Sequence, residues 1–295
     1  MKARNVGPDG IEVVYERLGD PAAPPVLLIM GAGGQLIHWP DGFCESLVSH
    51  GLHVIRFDNR DAGLSTHFHD APIPDLPAVQ AGDLSSVSYT LSDMAADTVG
   101  LLDALGLDSA HLVGASLGGM IAQTAAIEHR GRVRSLTSIM SSTGARDVGQ
   151  ASPEALAAIA GPPPVTREEV IEHMVKAYRV IGSPGYPADE EAVRERAGQA
   201  YGRAYDPIGL LRQAVAVVAS GDRTPWLRCL DVPTLVIHGA DDLMCDVSGG
   251  RATAAAVPGA ELVVFDGMGH DLPGALWPKI TELVAGLARC TKAGA

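Results

Sequence analysis

The stretch that most constrains this 295-residue chain is residues 108–120, DSAHLVGASLGGM. Residues 111–113 are an apolar, strand-like run, Gly114-Ala115-Ser116-Leu117-Gly118 follows at once, and residues 119–128 read as a helix with a buried face. A strand that turns directly into a helix with serine at the apex lifts the serine Oγ clear of the sheet. Flanking glycines supply the room and the unusual dihedral angles such a turn needs. Backbone N–H groups at a helix start favour developing negative charge, which acyl transfer generates. A glycine-rich turn carrying an incidental serine has the same local signature, so the chemistry depends on partners elsewhere in the chain.

The rest of the chain alternates strand-like and helix-like segments. Residues 11–17 (IEVVYER) read as a first strand, 26–30 (VLLIM) as a strand covered on both faces, 53–57 (HVIRF) as the next, and 135–140 (SLTSIM) as the one after the serine. Between them, residues 43–50 and 91–105 have helical character, the latter with Ser92 as an N-cap. The alternation predicts an α/β class with right-handed crossovers and a mostly parallel sheet flanked by helices. Between residues 141 and 226 strand-like runs stop, Pro162-Pro163-Pro164 interrupts the chain, and residues 166–181 (capped by Thr166), 190–200 and 210–219 read as helices. Strands 234–238 (TLVIH) and 261–265 (ELVVF), a helix at 251–257 and a terminal helix at 280–289 then resume the pattern. The expected organisation is a core of residues 1–140 and 227–295, with residues 141–226 forming a helical cap or lid over the sheet.

Composition narrows the function classes. The net charge of −13 makes the chain a poor partner for a nucleic-acid backbone, and 46% apolar with 19% charged residues is a globular composition. The longest apolar runs are strand-length, so no stable membrane insertion is expected, and residues 1–10 carry no apolar signal-peptide core. Cys44, Cys229, Cys245 and Cys290 are scattered without C-x-x-C spacing, which fits a reducing, cytoplasmic setting. The oligomeric state is open, a homodimer included.

A serine hydroxyl is a poor nucleophile until a positioned imidazole takes its proton, and that imidazole needs an orienting carboxylate. Downstream of Ser116, Asp241 and Asp242 follow the TLVIH strand, and His270, in Gly267-Met268-Gly269-His270, follows the ELVVF strand. Both positions lie at carboxyl ends of parallel strands, where open α/β sheets build their sites. His111 and His238 fall within strands and read as structural. His67-x-His69-Asp70 imitates a metal site, but no further group with ligand spacing accompanies it, so neither metal nor organic cofactor is expected. An oxyanion hole requires two donors aimed at one point. The N–H of Leu117, directly after the serine, is one candidate, and that of Ala32, in the Gly31–Gly34 loop, is the other.

LLIMGAGGQLIHWP, RFDNRDAGLST, GASLGG, PTLVIHGADD and GMGH together cover most of the chain and resemble the α/β-hydrolase-fold serine hydrolases of the bacterial carboxylesterase type. The chain is similar in particular to a subgroup that includes aclacinomycin methylesterase and mycobacterial lipase/esterase-like proteins. The resemblance implies that Asp242, closing H-G-x-x-D, is the triad acid rather than Asp241 or Asp246, and that His270 is the base. It implies that Asp58, Arg60, Gly63 and Ser65 are scaffolding around the oxyanion loop. The chain departs from most relatives in having Met30-Gly31 where they have His-Gly. Serine at the elbow argues against dehalogenase and epoxide hydrolase chemistry, which in this fold use aspartate there. The expected activity is hydrolysis of small to medium, largely apolar carboxylic esters, with a methylesterase, lactonase or acyltransferase of a natural-product pathway, or a ligand receptor, as alternatives. Met30, Trp39, Met140, Leu243 and Met268 flank the site residues in sequence and are the candidate substrate-pocket wall. Tyr178, Tyr201, Tyr205 and Arg203 are the candidate contacts from the cap.

Overall fold

A computed structural model describes residues 1–290. Its strands are β1 (Lys2–Val6), β2 (Ile11–Leu18), β3 (Pro25–Ile29), β4 (His53–Phe57), β5 (Ala110–Ala115), β6 (Val133–Ile139), β7 (Thr234–Gly239) and β8 (Glu261–Phe265). They form one sheet in the order β1-β2-β4-β3-β5-β6-β7-β8. The β1/β2 and β2/β4 pairings are antiparallel and all others parallel. The helices are α1 (Asp41–Ser49), α2 (Leu76–Gln80), α3 (Leu91–Ala104), α4 (Leu117–Glu128), α5 (Pro153–Ile159), α6 (Arg167–Ile181), α7 (Glu190–Arg203), α8 (Pro207–Ser220), α9 (Thr224–Leu227), α10 (Ser248–Ala256) and α11 (Trp277–Cys290). No described helix is long and apolar enough to cross a membrane.

The continuous apolar runs mark strands covered on both faces, and β3, β4, β5 and β7 are buried along their whole length. Period-2 geometry divides each between two cores. Val26 and Leu28 of β3 face a cluster with Phe43 and Leu47 of α1 and Ile280 and Val284 of α11. Leu27 and Ile29 face the opposite cluster, with Leu101 of α3 and Ile121 of α4. α1 leads from β3 towards β4 along one face, whereas α4 leads from β5 towards β6 along the other. Because β3 and β5 are hydrogen-bonded neighbours, the crevice at their carboxyl ends is the topological switch point of the sheet. Helices α5 to α9 all fall between β6 and β7.

Three local expectations need correction. The N-cap of α3 is Thr90, whose capping box with Asp93 closes the helix start, whereas the Ser92 hydroxyl donates to Glu128 on α4. Strand β1 precedes the expected first strand. Its residues KARNV bury only Ala3 and Val6, so its pairing with β2 creates it rather than its own pattern. Helix α5 has too few turns to show a period, and it is held by the Ser152 cap and Pro153.

One buried ion pair ties the loop after β4 to α3. Arg60 Nε and Nη2 donate to the two oxygens of Asp97 at 2.6 and 2.9 Å, and the guanidinium stacks between the rings of Phe68 and Tyr89. Both side chains are almost fully buried. Asp97→Ala removes the buried partner and leaves the guanidinium only the half-exposed Asp9, whose Oδ2 is 3.0 Å from Nη1, so the expected loss is about 3 kcal/mol of unfolding free energy. Urea denaturation read as a shift in midpoint at unchanged m-value checks it.

Candidate active site

The serine turn is strained in the manner its sequence requires. Ser116 has φ 54° and ψ −120°, outside the regions open to most L-residues, at a cost of about 1–3 kcal/mol. The close approach beside it works only without side chains. A Cβ on Gly114 would come 2.0 Å from the Gly118 carbonyl oxygen, and one on Gly118 would come 2.0 Å from that of Ile29. Glycine at 114 and 118 therefore lets α4 start hard against β3 and β5, with the Leu117 amide at the first turn of the helix.

Three side chains from three strand ends meet at this turn. His270 Nε2 lies 3.0 Å from Ser116 Oγ, and His270 Nδ1 lies 2.7 Å from Asp242 Oδ2. Asp242 is fully buried at the side chain and its Oδ1 accepts the backbone N–H groups of Met244 and Cys245, at 2.9 and 2.8 Å. Those two amides fix the carboxylate plane, so Oδ2 is left for the imidazole. Asp241 is exposed, and its Oδ2 accepts the Gly267 N–H at 2.8 Å. Asp246 is exposed too, and its side chain caps the Ser248 amide. Buried His238 packs under the loop carrying Asp242, with Nε2 2.7 Å from the Cys245 carbonyl oxygen, and burial lowers its pKa.

The loop after β3 faces Ser116 from the neighbouring strand. A Cβ on Gly31 would lie 3.1 Å from Ser116 Cβ, so the loop passes directly over the serine. Several groups hold it. Asn59 Nδ2 donates to the Met30 carbonyl at 3.0 Å, Gly33 N donates to Gln213 Oε1 at 2.8 Å, and Leu36 N donates to Asp58 Oδ1 at 2.7 Å. Asp58 also accepts Leu64 N and the Arg203 guanidinium on Oδ2, and Gly63 (φ 56°) passes so close that a Cβ there would overlap the Asp58 carboxylate. Ser65 Oγ donates to the Asp58 carbonyl. Gly63, Leu64 and Ser65 thus close round one buried carboxylate that positions the loop containing Ala32, whereas the Arg60 guanidinium turns away to Asp97.

Residues 24–273 match the alpha/beta hydrolase fold family. Rhodomycin D methylesterase DnrP of Streptomyces peucetius is 31% identical to this chain, over 92% of this chain and 93% of its own. The chain belongs to the alpha/beta hydrolase fold family. Rhodomycin D methylesterase DauP of Streptomyces sp. strain C5 is 30% identical, again over 92% and 93% of the two chains. Among solved structures, the meta-cleavage product hydrolase CumD of Pseudomonas fluorescens IP01 superimposes with a TM-score of 0.74 at 22% identity, covering 98% of this chain and 97% of its own, and so shares the fold.

In this alpha/beta hydrolase the residues that flank the site in sequence mostly do not border open space. Trp39 and Met268 are wholly buried, Trp39 against Phe43 of α1, and both belong to the core beneath the sheet. Met140 (φ 42°) is held by its amide to the Ile237 carbonyl and is also core, and Met30 packs under the Gly31–Gly34 loop. Only Leu243 of the five lines a described cavity, a space of about 540 Å³ between α6, α7 and the loop carrying Asp242 that Tyr178 and Glu190 also border. Arg203 is engaged with Gln35 and Asp58, while the hydroxyls of Tyr201 and Tyr205 donate to the carbonyls of Val165 and Pro164. Burial raises the Tyr178 phenol to about 12.

Two positioning groups carry no sequence signal. Gln213, on α8, reaches the Gly31–Gly34 loop from 180 residues away. Ser183, after α6, accepts the Gly269 N–H at 2.9 Å and donates to Asp271, while the His270 amide donates to the Ile181 carbonyl at 2.7 Å. The loop carrying His270 is therefore docked on the end of α6. Burial raises the pKa of Asp271, with the Ser183 hydroxyl opposing.

Proposed function

We propose that this protein hydrolyses carboxylic esters through an acyl-enzyme on Ser116, with His270 as the base and Asp242 as its orienting acid. The observation that carries the reading is the unbroken chain of short contacts from Asp242 Oδ2 through both ring nitrogens of His270 to Ser116 Oγ. In this reading Ser116 Oγ attacks the ester carbonyl carbon as its proton passes to His270 Nε2, and the Asp242 carboxylate stabilises the imidazolium. The N–H groups of Ala32 and Leu117 receive the negative charge that develops on the carbonyl oxygen. Collapse of the tetrahedral species breaks the bond to the alcohol, which leaves with the proton from His270. Water then repeats the attack on the acyl-enzyme, gives its proton to His270, and releases the acid with Ser116 restored.

Residues 141–226 act as the cap in this reading. Their end of α6 steadies the base loop, and Gln213 steadies the oxyanion side. The methylesterase relatives favour a methyl ester as the substrate class. The direct test is incubation with a fluorophosphonate followed by intact-mass and peptide mapping, beside an assay of acid released from methyl and p-nitrophenyl esters. One adduct per chain on Ser116, with ester cleavage blocked in step with labelling, is the expected result. An unlabelled chain that releases no acid from any ester of the series would end the proposal.

A further inference from the structure

The loop after β4 and the start of α8 meet at a group of side chains that the ester chemistry does not use. His67, His69 and Asp206 each offer one ligand atom, and these atoms lie within 4.8 Å of one another. His67 Nδ1 is 2.7 Å from Asp206 Oδ2, His69 Nδ1 is 3.9 Å from the same oxygen, and the two imidazoles stack at 5.3 Å with their planes 10° apart. His67 Nε2 lies 3.0 Å from the Gly63 carbonyl oxygen. A carbonyl can only accept, so Nε2 donates to Gly63 and Nδ1 is the ring atom turned towards the carboxylate. A second N–H bonded to a backbone carbonyl is also how metal-ligating histidines are oriented.

The geometry points to a zinc-class divalent metal site formed by His67 Nδ1, His69 Nδ1 and Asp206 Oδ2. Two imidazoles and one carboxylate suit zinc, cobalt or nickel and are a poor match for magnesium or calcium. Bonds of about 2.0–2.2 Å put neighbouring tetrahedral ligand atoms roughly 3.3 Å apart. His67 Nδ1 and Asp206 Oδ2, at 2.7 Å, part by about half an ångström to reach that spacing, and His69, whose side chain is 73% exposed, moves in from 3.9 Å without disturbing the core. The atoms border a surface recess of about 320 Å³, which leaves a coordination position for water. Asp206 is fixed from behind, since its Oδ1 caps α8 by accepting the Gly209 N–H at 2.8 Å. The H-x-H spacing at 67 and 69 is thus completed by a ligand 139 residues further on. A bound ion clips α8, and with it Gln213, to the loop that follows β4.

Tag-free full-length protein, stripped with chelator and dialysed, is titrated with Zn²⁺ by equilibrium dialysis with metal analysis, and with Co²⁺ by visible spectroscopy. One tightly held equivalent, a cobalt d–d band and a higher melting temperature with zinc are expected. His69→Ala and Asp206→Asn should each weaken binding roughly tenfold or more, whereas His50→Ala, at an exposed position remote in sequence, should leave it unchanged. Asparagine at 206 still caps α8, and His69 is exposed, so both variants should remain folded. Zinc retention no greater than in the His67→Ala/His69→Ala double variant, or binding indifferent to His69→Ala, overturns the site. Neither readout depends on ester cleavage, so failure here leaves the proposed hydrolysis standing.

Discussion

Ser116→Ala is expected to lower ester turnover by a factor on the order of 10⁶ in kcat, about 8 kcal/mol of transition-state stabilisation. The size follows from what the oxygen does. Without it no acyl-enzyme forms, His270 has no proton to take, and only the N–H groups of Ala32 and Leu117 and the bound geometry still favour the reaction. The fold should not notice the change. Alanine keeps the Cβ that makes φ 54° costly, so the strain of the turn is neither relieved nor increased, and its flanking glycines are untouched. Melting temperature close to that of the parent, no fluorophosphonate adduct and turnover indistinguishable from background are the joint expectation. A folded variant that keeps even a tenth of parental turnover would sink the acyl-enzyme on this residue.

What the sequence made legible was whatever a strand and its following loop encode locally. The β5–Ser116–α4 turn, the carboxyl ends of β7 and β8, and the long helices α6, α7 and α8 announce themselves in the local pattern of the chain, whereas the short α5 and α9 do not. Proximity in sequence did not carry over to a shared wall in space. Trp39 follows the oxyanion-side loop by only a few positions, yet the chain turns down there and the indole fills the core beside Phe43. Met268 is two residues before His270, but its side chain belongs to the opposite, buried side of the loop. Groups that arrive from afar were invisible for the complementary reason. Nothing around Gln213, Ser183 or Asp206 hints at its partner, because each contact exists only once α8 or the end of α6 has packed on the sheet edge. Adjacent aspartates likewise cannot be told apart by spacing, and it is hydrogen-bond geometry that separates them.

That separation yields a sharp expectation: Asp242→Asn should lower kcat about 10⁴-fold, while Asp241→Asn leaves it within about twofold. At position 242 the amides of Met244 and Cys245 both donate to Oδ1, so the asparagine carbonyl oxygen must stay there and its NH₂ replaces Oδ2. The NH₂ then donates to His270 Nδ1, which forces the ring proton onto Nε2. That tautomer faces Ser116 with a donor where a lone pair is needed, 3.0 Å from a hydroxyl whose proton it cannot accept. Geometry, volume and packing are preserved, so the loss appears in kcat with little change in unfolding. At position 241 the carboxylate is exposed and accepts one backbone N–H, from Gly267, and an asparagine oxygen serves that contact equally well. Steady-state kinetics on the two single variants decide between the neighbours. A large kcat loss in the 241 variant with a mild one at 242 would reverse the acid assignment, and equal mild losses would show that His270 is held in its productive tautomer by something other than either carboxylate.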